Sequence, residues 1–216
     1  MSNSNRFLPP VASAIAIFLL MGLLTLPATT VAQPTKLSEK LQELLVQIPA
    51  DLPSFTLKDS KGKVFNLENF NDKWTFLFFG YTNCPDVCPE TLTEMDTAAR
   101  KLATEKDIPK NLQYVFISID PRRDTPALLG QYLSYFTTKF VGATGSIPEL
   151  IKLANSVNIG FEYGPGDKNY EVAHGSSMLL INPKKQYVAR FRAPQYSEDI
   201  VAGFKLVYNY FNGKQP

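Results

Sequence analysis

Two nearly unbroken apolar runs, Trp74-Thr75-Phe76-Leu77-Phe78-Phe79 and Tyr114-Val115-Phe116-Ile117-Ser118-Ile119, set the tightest limit on how this chain folds. Runs without polar alternation suit strands buried on both faces, so helices must cover the sheet on each side. The segment between them supplies one helix: Cys88, Leu92, Met95, Ala99 and Leu102 follow the spacing of a single buried face. Leu129, Tyr132, Leu133 and Phe136 mark a second helix, with Asp124 read as its N-cap. Ser146-Ile147-Pro148-Glu149 has capping-box spacing ahead of Leu150, Ile151 and Ala154. Ile200, Val201, Phe204, Val207, Tyr208 and Phe211 predict a last helix, with Ser197 before it and Gly213 after it.

Two hairpins complete the pattern. Phe55-Thr56-Leu57-Lys58 and Val64-Phe65-Asn66-Leu67 flank Asp59-Ser60-Lys61-Gly62, a Gly-containing turn. Met178-Leu179-Leu180-Ile181 and Tyr187-Val188-Ala189-Arg190-Phe191 flank a turn built on Asn182-Pro183. The order is hairpin, strand, helix, strand, helix, short strand, helix, hairpin, helix. That is an α/β layout: a mixed central sheet flanked by helices, with an extra N-terminal hairpin. Residues 51–216 read as one folded domain without internal repeats, and residues 33–50, polar and partly helical, as a spacer. Thirteen of the chain's fifteen Phe and all ten Tyr fall in this domain and give it a core that needs no disulfide staple. The formal net charge is only +2, and no basic run is interleaved with aromatics, so nucleic-acid binding has no support.

The first 32 residues read as a targeting segment. Arg6 is followed by a mostly apolar run from Val11 to Leu26 and then by Thr30-Val31-Ala32, the order of a secretory signal cleaved after Ala32. The run is shorter than the ~20 residues of a spanning helix, though not by much, so an uncleaved N-terminal membrane anchor is the alternative. Either way the expectation is an exported domain, in a periplasm or an equivalent envelope compartment.

The chain has two cysteines and one histidine. Cys84-Pro85-Asp86-Val87-Cys88-Pro89 lies where the first buried strand gives way to the first helix. Ligands and reactive groups of open α/β sheets gather there, and helix N-termini stabilise thiolates. Cys84 and Cys88 are about one helical turn apart, so both sulfurs can face one side, to form a disulfide or to share a soft metal. Thioredoxin-type exchangers place two residues between their cysteines, and this chain places three. Thiolates favour Cu(I), zinc or iron–sulfur clusters, but two cysteines cannot complete a four-cysteine cluster.

The stretch Phe78-Phe79-Gly80-Tyr81-Thr82-Asn83-Cys84-Pro85-Asp86-Val87-Cys88-Pro89 resembles the signature of the Sco/SenC family, copper proteins that help assemble cytochrome c oxidase. Ser118-Ile119-Asp120-Pro121-Arg122-Arg123-Asp124-Thr125-Pro126 is a second segment similar to that family, and the likeness covers most of residues 50 to 212. The resemblance implies a thioredoxin-like fold, with the loop entering the second hairpin facing the cysteine turn. A lone histidine is ordinarily a surface or hydrogen-bonded core residue. In that arrangement, however, His174 faces Cys84 and Cys88, and two thiolates with an imidazole suit Cu(I) or Cu(II).

The function so implied is a copper chaperone. It receives copper from an upstream donor protein and assists assembly of the binuclear copper centre of oxidase subunit II. The family commonly carries an acid before the histidine. Here that position is Ala173, which leaves the fourth Cu(II) ligand to Asp86 or water. Asp120, Arg122, Arg123 and Asp124 are expected on the sheet edge that holds the cysteines. They read either as supports of the site or of partner docking, or as a helix cap with a local Arg–Asp pair.

Two rival activities use the same thiols. A thiol–disulfide oxidoreductase would reduce the cysteines of that oxidase subunit, but has no need of His174. A thiol peroxidase usually carries a Pro-x-x-x-Thr/Ser-x-x-Cys turn, and Leu77 and Tyr81 occupy its Pro and Thr/Ser positions here.

Overall fold

The computed structural model describes residues 37–166 and 169–214, so the leader at residues 1–32 lies outside the described residues. The chain runs through α1 (Glu39–Leu44), β1 (Leu45–Asp51), β2 (Thr56–Asp59), β3 (Val64–Asn66), a 3-10 turn at Leu67–Phe70 and β4 (Trp74–Gly80). Then follow α2 (Val87–Thr104), β5 (Leu112–Ser118), α3 (Pro126–Leu133), β6 (Val141–Thr144) and α4 (Ile147–Ser156). The last elements are β7 (Phe161–Tyr163), β8 (Val172–His174), β9 (Met178–Ile181), β10 (Gln186–Phe191) and α5 (Ser197–Phe211).

Eight strands form one sheet in the order β1-β10-β9-β4-β5-β6-β2-β3, while β7 and β8 pair apart from it. The pairs β4/β5 and β5/β6 are parallel and the others antiparallel, so the sheet is mixed as expected. Every residue of β4 is buried, which accounts for the unbroken apolar run that writes it. Its Trp74 and Phe76 rings lie 5.7 and 5.3 Å from that of Phe204 on α5. Helix α2 buries Cys88, Leu92, Met95, Ala99 and Leu102, the five positions of its predicted face. The two predicted hairpins are β2/β3 and β9/β10. The second of them, with β4, α2, β5 and α5, makes the thioredoxin-like arrangement, and β2/β3 is the extra N-terminal hairpin.

Four local expectations give way to longer-range contacts. Residues 39–50, read as part of a spacer, form α1 and all but the last residue of β1, with Leu41 and Leu44 buried and β1 paired to β10. Asp124 does not cap α3. Thr125 does, accepting the Leu128 N–H, with Pro126 opening the helix. Ser146 precedes α4 without a side-chain cap bond, and Glu149 instead accepts the N–H of Thr56 at 2.8 Å, tying α4 to β2. His174, placed in a loop by sequence, ends strand β8 opposite Phe161. Among the described residues no helix is long and apolar enough to cross a membrane.

Candidate metal centre

Strand β4 stops at Gly80, a loop covers residues 81–86, and α2 starts at Val87. Cys84 is half-buried in that loop, whereas Cys88, in the first turn of α2, is fully buried. Gly80 makes their position possible. A Cβ there would lie 2.7 Å from Cys88 Sγ and 2.8 Å from the Phe116 ring, closer than packed atoms approach. The loop is held from across the sheet edge, because buried Asp124 accepts the Thr82 N–H at 2.9 Å and its hydroxyl at 2.6 Å.

The β7–β8 hairpin brings His174 over this loop. Its ring meets those of Tyr81 and Phe78 edge-on, at 5.9 and 6.3 Å between centres. Nδ1 lies 3.1 Å from the Gly175 carbonyl, which only accepts, so Nδ1 carries the proton and Nε2 is left with its lone pair. Nε2 points at Cys88 Sγ, 3.7 Å away, so the thiol donates to the imidazole. Cys84, Cys88 and His174 each turn one donor atom inward, all within 4.8 Å of one another. Donors bound at about 2.0–2.3 Å to one ion lie up to about 4.6 Å apart, so the set closes on a metal with little movement.

Burial keeps Cys88 and His174 uncharged in the metal-free centre. Burial pushes the Cys88 thiol well above its ordinary range, against a backbone hydrogen bond from Tyr81, and nearby Cys84 and Asp124 add to the rise. Burial lowers the His174 pKa, partly opposed by its bond to Gly175, so the imidazole stays neutral near pH 7. A cation held by this set would take the place of the Cys88 proton and supply the charge that makes a buried thiolate tolerable.

The three residues singled out by sequence therefore meet. Asp86 does not join their cluster, although it lines the same open mouth with Cys84, Glu171 and His174. Ala173 pairs with Glu162, and strand alternation puts its side chain on the hairpin face opposite His174. An acid at that position would point away from the sulfurs. Asp120, Arg122, Arg123 and Asp124 lie outside the donor set. Arg123 pairs with Asp120 and Arg122 stacks over the Tyr163 ring at 4.9 Å. Thr82, Tyr163 and Tyr170 tie the site together, yet no sequence pattern assigns them that role; Thr82 lies within the cysteine signature and Tyr170 four residues before His174.

The family model described as SCO1/SenC matches residues 49–208. A SCO2-like protein of Rickettsia felis is 31% identical over 198 residues, covering 88% of this chain and 94% of its own. The crystal structure of Arabidopsis thaliana ScoI with copper bound superposes with a TM-score of 0.69 at 31% identity, covering 74% of this chain and 100% of that one. BsSco, described as having a disulfide switch and as a member of the Sco family of cytochrome c oxidase assembly proteins, shares the fold. Its TM-score is 0.61 at 22% identity, covering 75% of this chain and 96% of that one. On the extent of the family match and the likeness to these relatives, this chain belongs to the SCO1/SenC family.

Proposed function

We propose that this protein is a copper chaperone that binds one copper ion through Cys84, Cys88 and His174 and serves assembly of cytochrome c oxidase. The reading rests on one observation above the others, the inward-facing Cys2His donor set within 4.8 Å. Two thiolates and an imidazole suit Cu(I) in trigonal coordination, and the imidazole also suits Cu(II). The half-buried Cys84 gives an incoming donor or acceptor thiolate access to the ion, while Cys88 and His174 hold it from within. On this reading an upstream donor protein loads the site. The acceptor is the binuclear copper centre of oxidase subunit II, and residues 1–32 export the domain to the periplasm or its equivalent, as a cleaved signal or an anchor.

Loading the reduced protein with copper tests the ligand set. The expected result is one copper per chain with a Cu(II)–thiolate absorption band, lost or altered in His174→Ala. Equal affinity and identical spectra for the two proteins would sink the assignment.

A second reading draws on the unequal exposure of the thiols. A reachable Cys84 beside a shielded Cys88 is the arrangement of an attacking and a resolving thiol, so reduction of the acceptor's cysteines uses the same pair. Copper-free protein that restores oxidase assembly fully would favour this reading over copper delivery.

A further inference from the structure

The β7–β8 hairpin carries His174 yet pairs with no strand of the main sheet, so side-chain ties must set where it sits. Those ties converge on the turn after β5. The Tyr163 hydroxyl donates to the Ile119 carbonyl at 2.6 Å. The Tyr170 hydroxyl donates to Asp120 at 2.6 Å, and Arg123, ion-paired with Asp120, donates from Nη1 to the Tyr170 carbonyl at 2.8 Å. The Arg123 guanidinium also lies over the Tyr170 ring, 3.8 Å from its centre. Four residues along the chain from Tyr170 is His174.

The other end of the same turn serves the cysteines. Asp124 holds the backbone and the hydroxyl of Thr82, two residues before Cys84, and accepts from Ser118 at 2.6 Å. Asp120 and Asp124 are both wholly buried. Buried carboxylates are costly, and apolar residues of similar volume often stabilise a fold as well or better. Neither carboxylate belongs to the donor set. What the pair does instead is fasten two segments that are remote in sequence to adjacent points of one short turn.

We propose that the turn Asp120–Asp124 positions the two halves of the metal centre against each other, with Asp120, Arg123 and Tyr170 as positioning residues for His174. The metal in this statement rests on the copper reading above, but the geometry does not. The motif resembling the family's second segment thus works as a shared post, with the cysteine loop tied to one end and the histidine hairpin to the other.

Tyr170→Phe removes the phenol–carboxylate bond and keeps the ring beneath Arg123, so it should fold, whereas Asp120→Asn also removes the ion pair. His174 is the only histidine of the chain, so its ring protons report its place unambiguously. In copper-free reduced protein, Tyr170→Phe should shift those resonances, which the Tyr81 and Phe78 rings surround. Amide exchange across Val172–His174 should rise about tenfold or more, with β4 and β5 unchanged. In copper-loaded protein the variant should alter the Cu(II)–thiolate band, and should add nothing when combined with His174→Ala. Unmoved ring signals and unchanged exchange would overturn the proposal, and so would a band that responds to His174→Ala but not to Tyr170→Phe. A band indifferent to His174→Ala removes the ligand reading instead, and the copper-free measurements then decide the positioning role.

Discussion

Gly80 is where a strand end, a buried thiol and an aromatic ring come closest, and no other residue fits there. Its replacement by Ala would put a methyl group 2.7 Å from Cys88 Sγ and 2.8 Å from Phe116, both held in the core. Gly80→Ala should therefore destabilise the reduced protein by about 1–3 kcal/mol in urea unfolding, the range of overpacked cores. At this scale the sequence was legible where chemistry depends on spacing. Cys84 and Cys88 announce themselves by separation and by their place between strand and helix. The residues whose roles the local pattern misassigns are carboxylates. Asp124 and Glu149 stand at plausible cap distances, but partners remote in sequence, Thr82 and Thr56, claim their carboxylates. A local pattern carries no information about such competition.

Among the elements, the long ones could be read and the short ones could not. Strands β4 and β5 and helices α2 and α5 repeat their pattern often enough to show period and burial. Strands β7 and β8 have three residues each, too few for alternation to be seen, and one of them bears the histidine. Strand β1 is hidden differently: its register against β10 slips between Leu45 and Ala50, and Ile48 faces solvent. A bulged edge strand of this kind shows no period-two pattern. Helix α1 nevertheless belongs to the core through Leu41, which is 0% exposed. Leu41→Ala should cost about 2–5 kcal/mol in a denaturant titration, as for other buried leucines. A change in a mere spacer would stay within about 0.5 kcal/mol.

Over the whole molecule, the two shifted groups of the centre bracket a pH window for the copper-free reduced protein. The folded His174 has a pKa below its ordinary 6.5, so its share of stability is present above about pH 6.5 and is lost as pH falls through the lowered value. The folded Cys88 thiol lies above its ordinary 9.0, so its share is present below about pH 9 and is lost as pH rises further. Urea midpoints should therefore form a plateau between those limits and fall on both sides. His174→Ala should move the onset of the acid fall to lower pH, and Cys88→Ala should move that of the alkaline fall to the higher pH where the buried tyrosines titrate.

The same sheet also has a consequence in time. Strand β1 is the first strand of the described chain, yet its partner β10 is the last strand to be made. A ribosome therefore releases Leu41 and Leu44 long before the segment that covers them exists, since α1 packs on β10 and α5. Distant pairings of this sort form slowly and leave apolar surface waiting. For this protein, the emergence of β10 and α5 and the sealing of the sheet's first edge are a single late event.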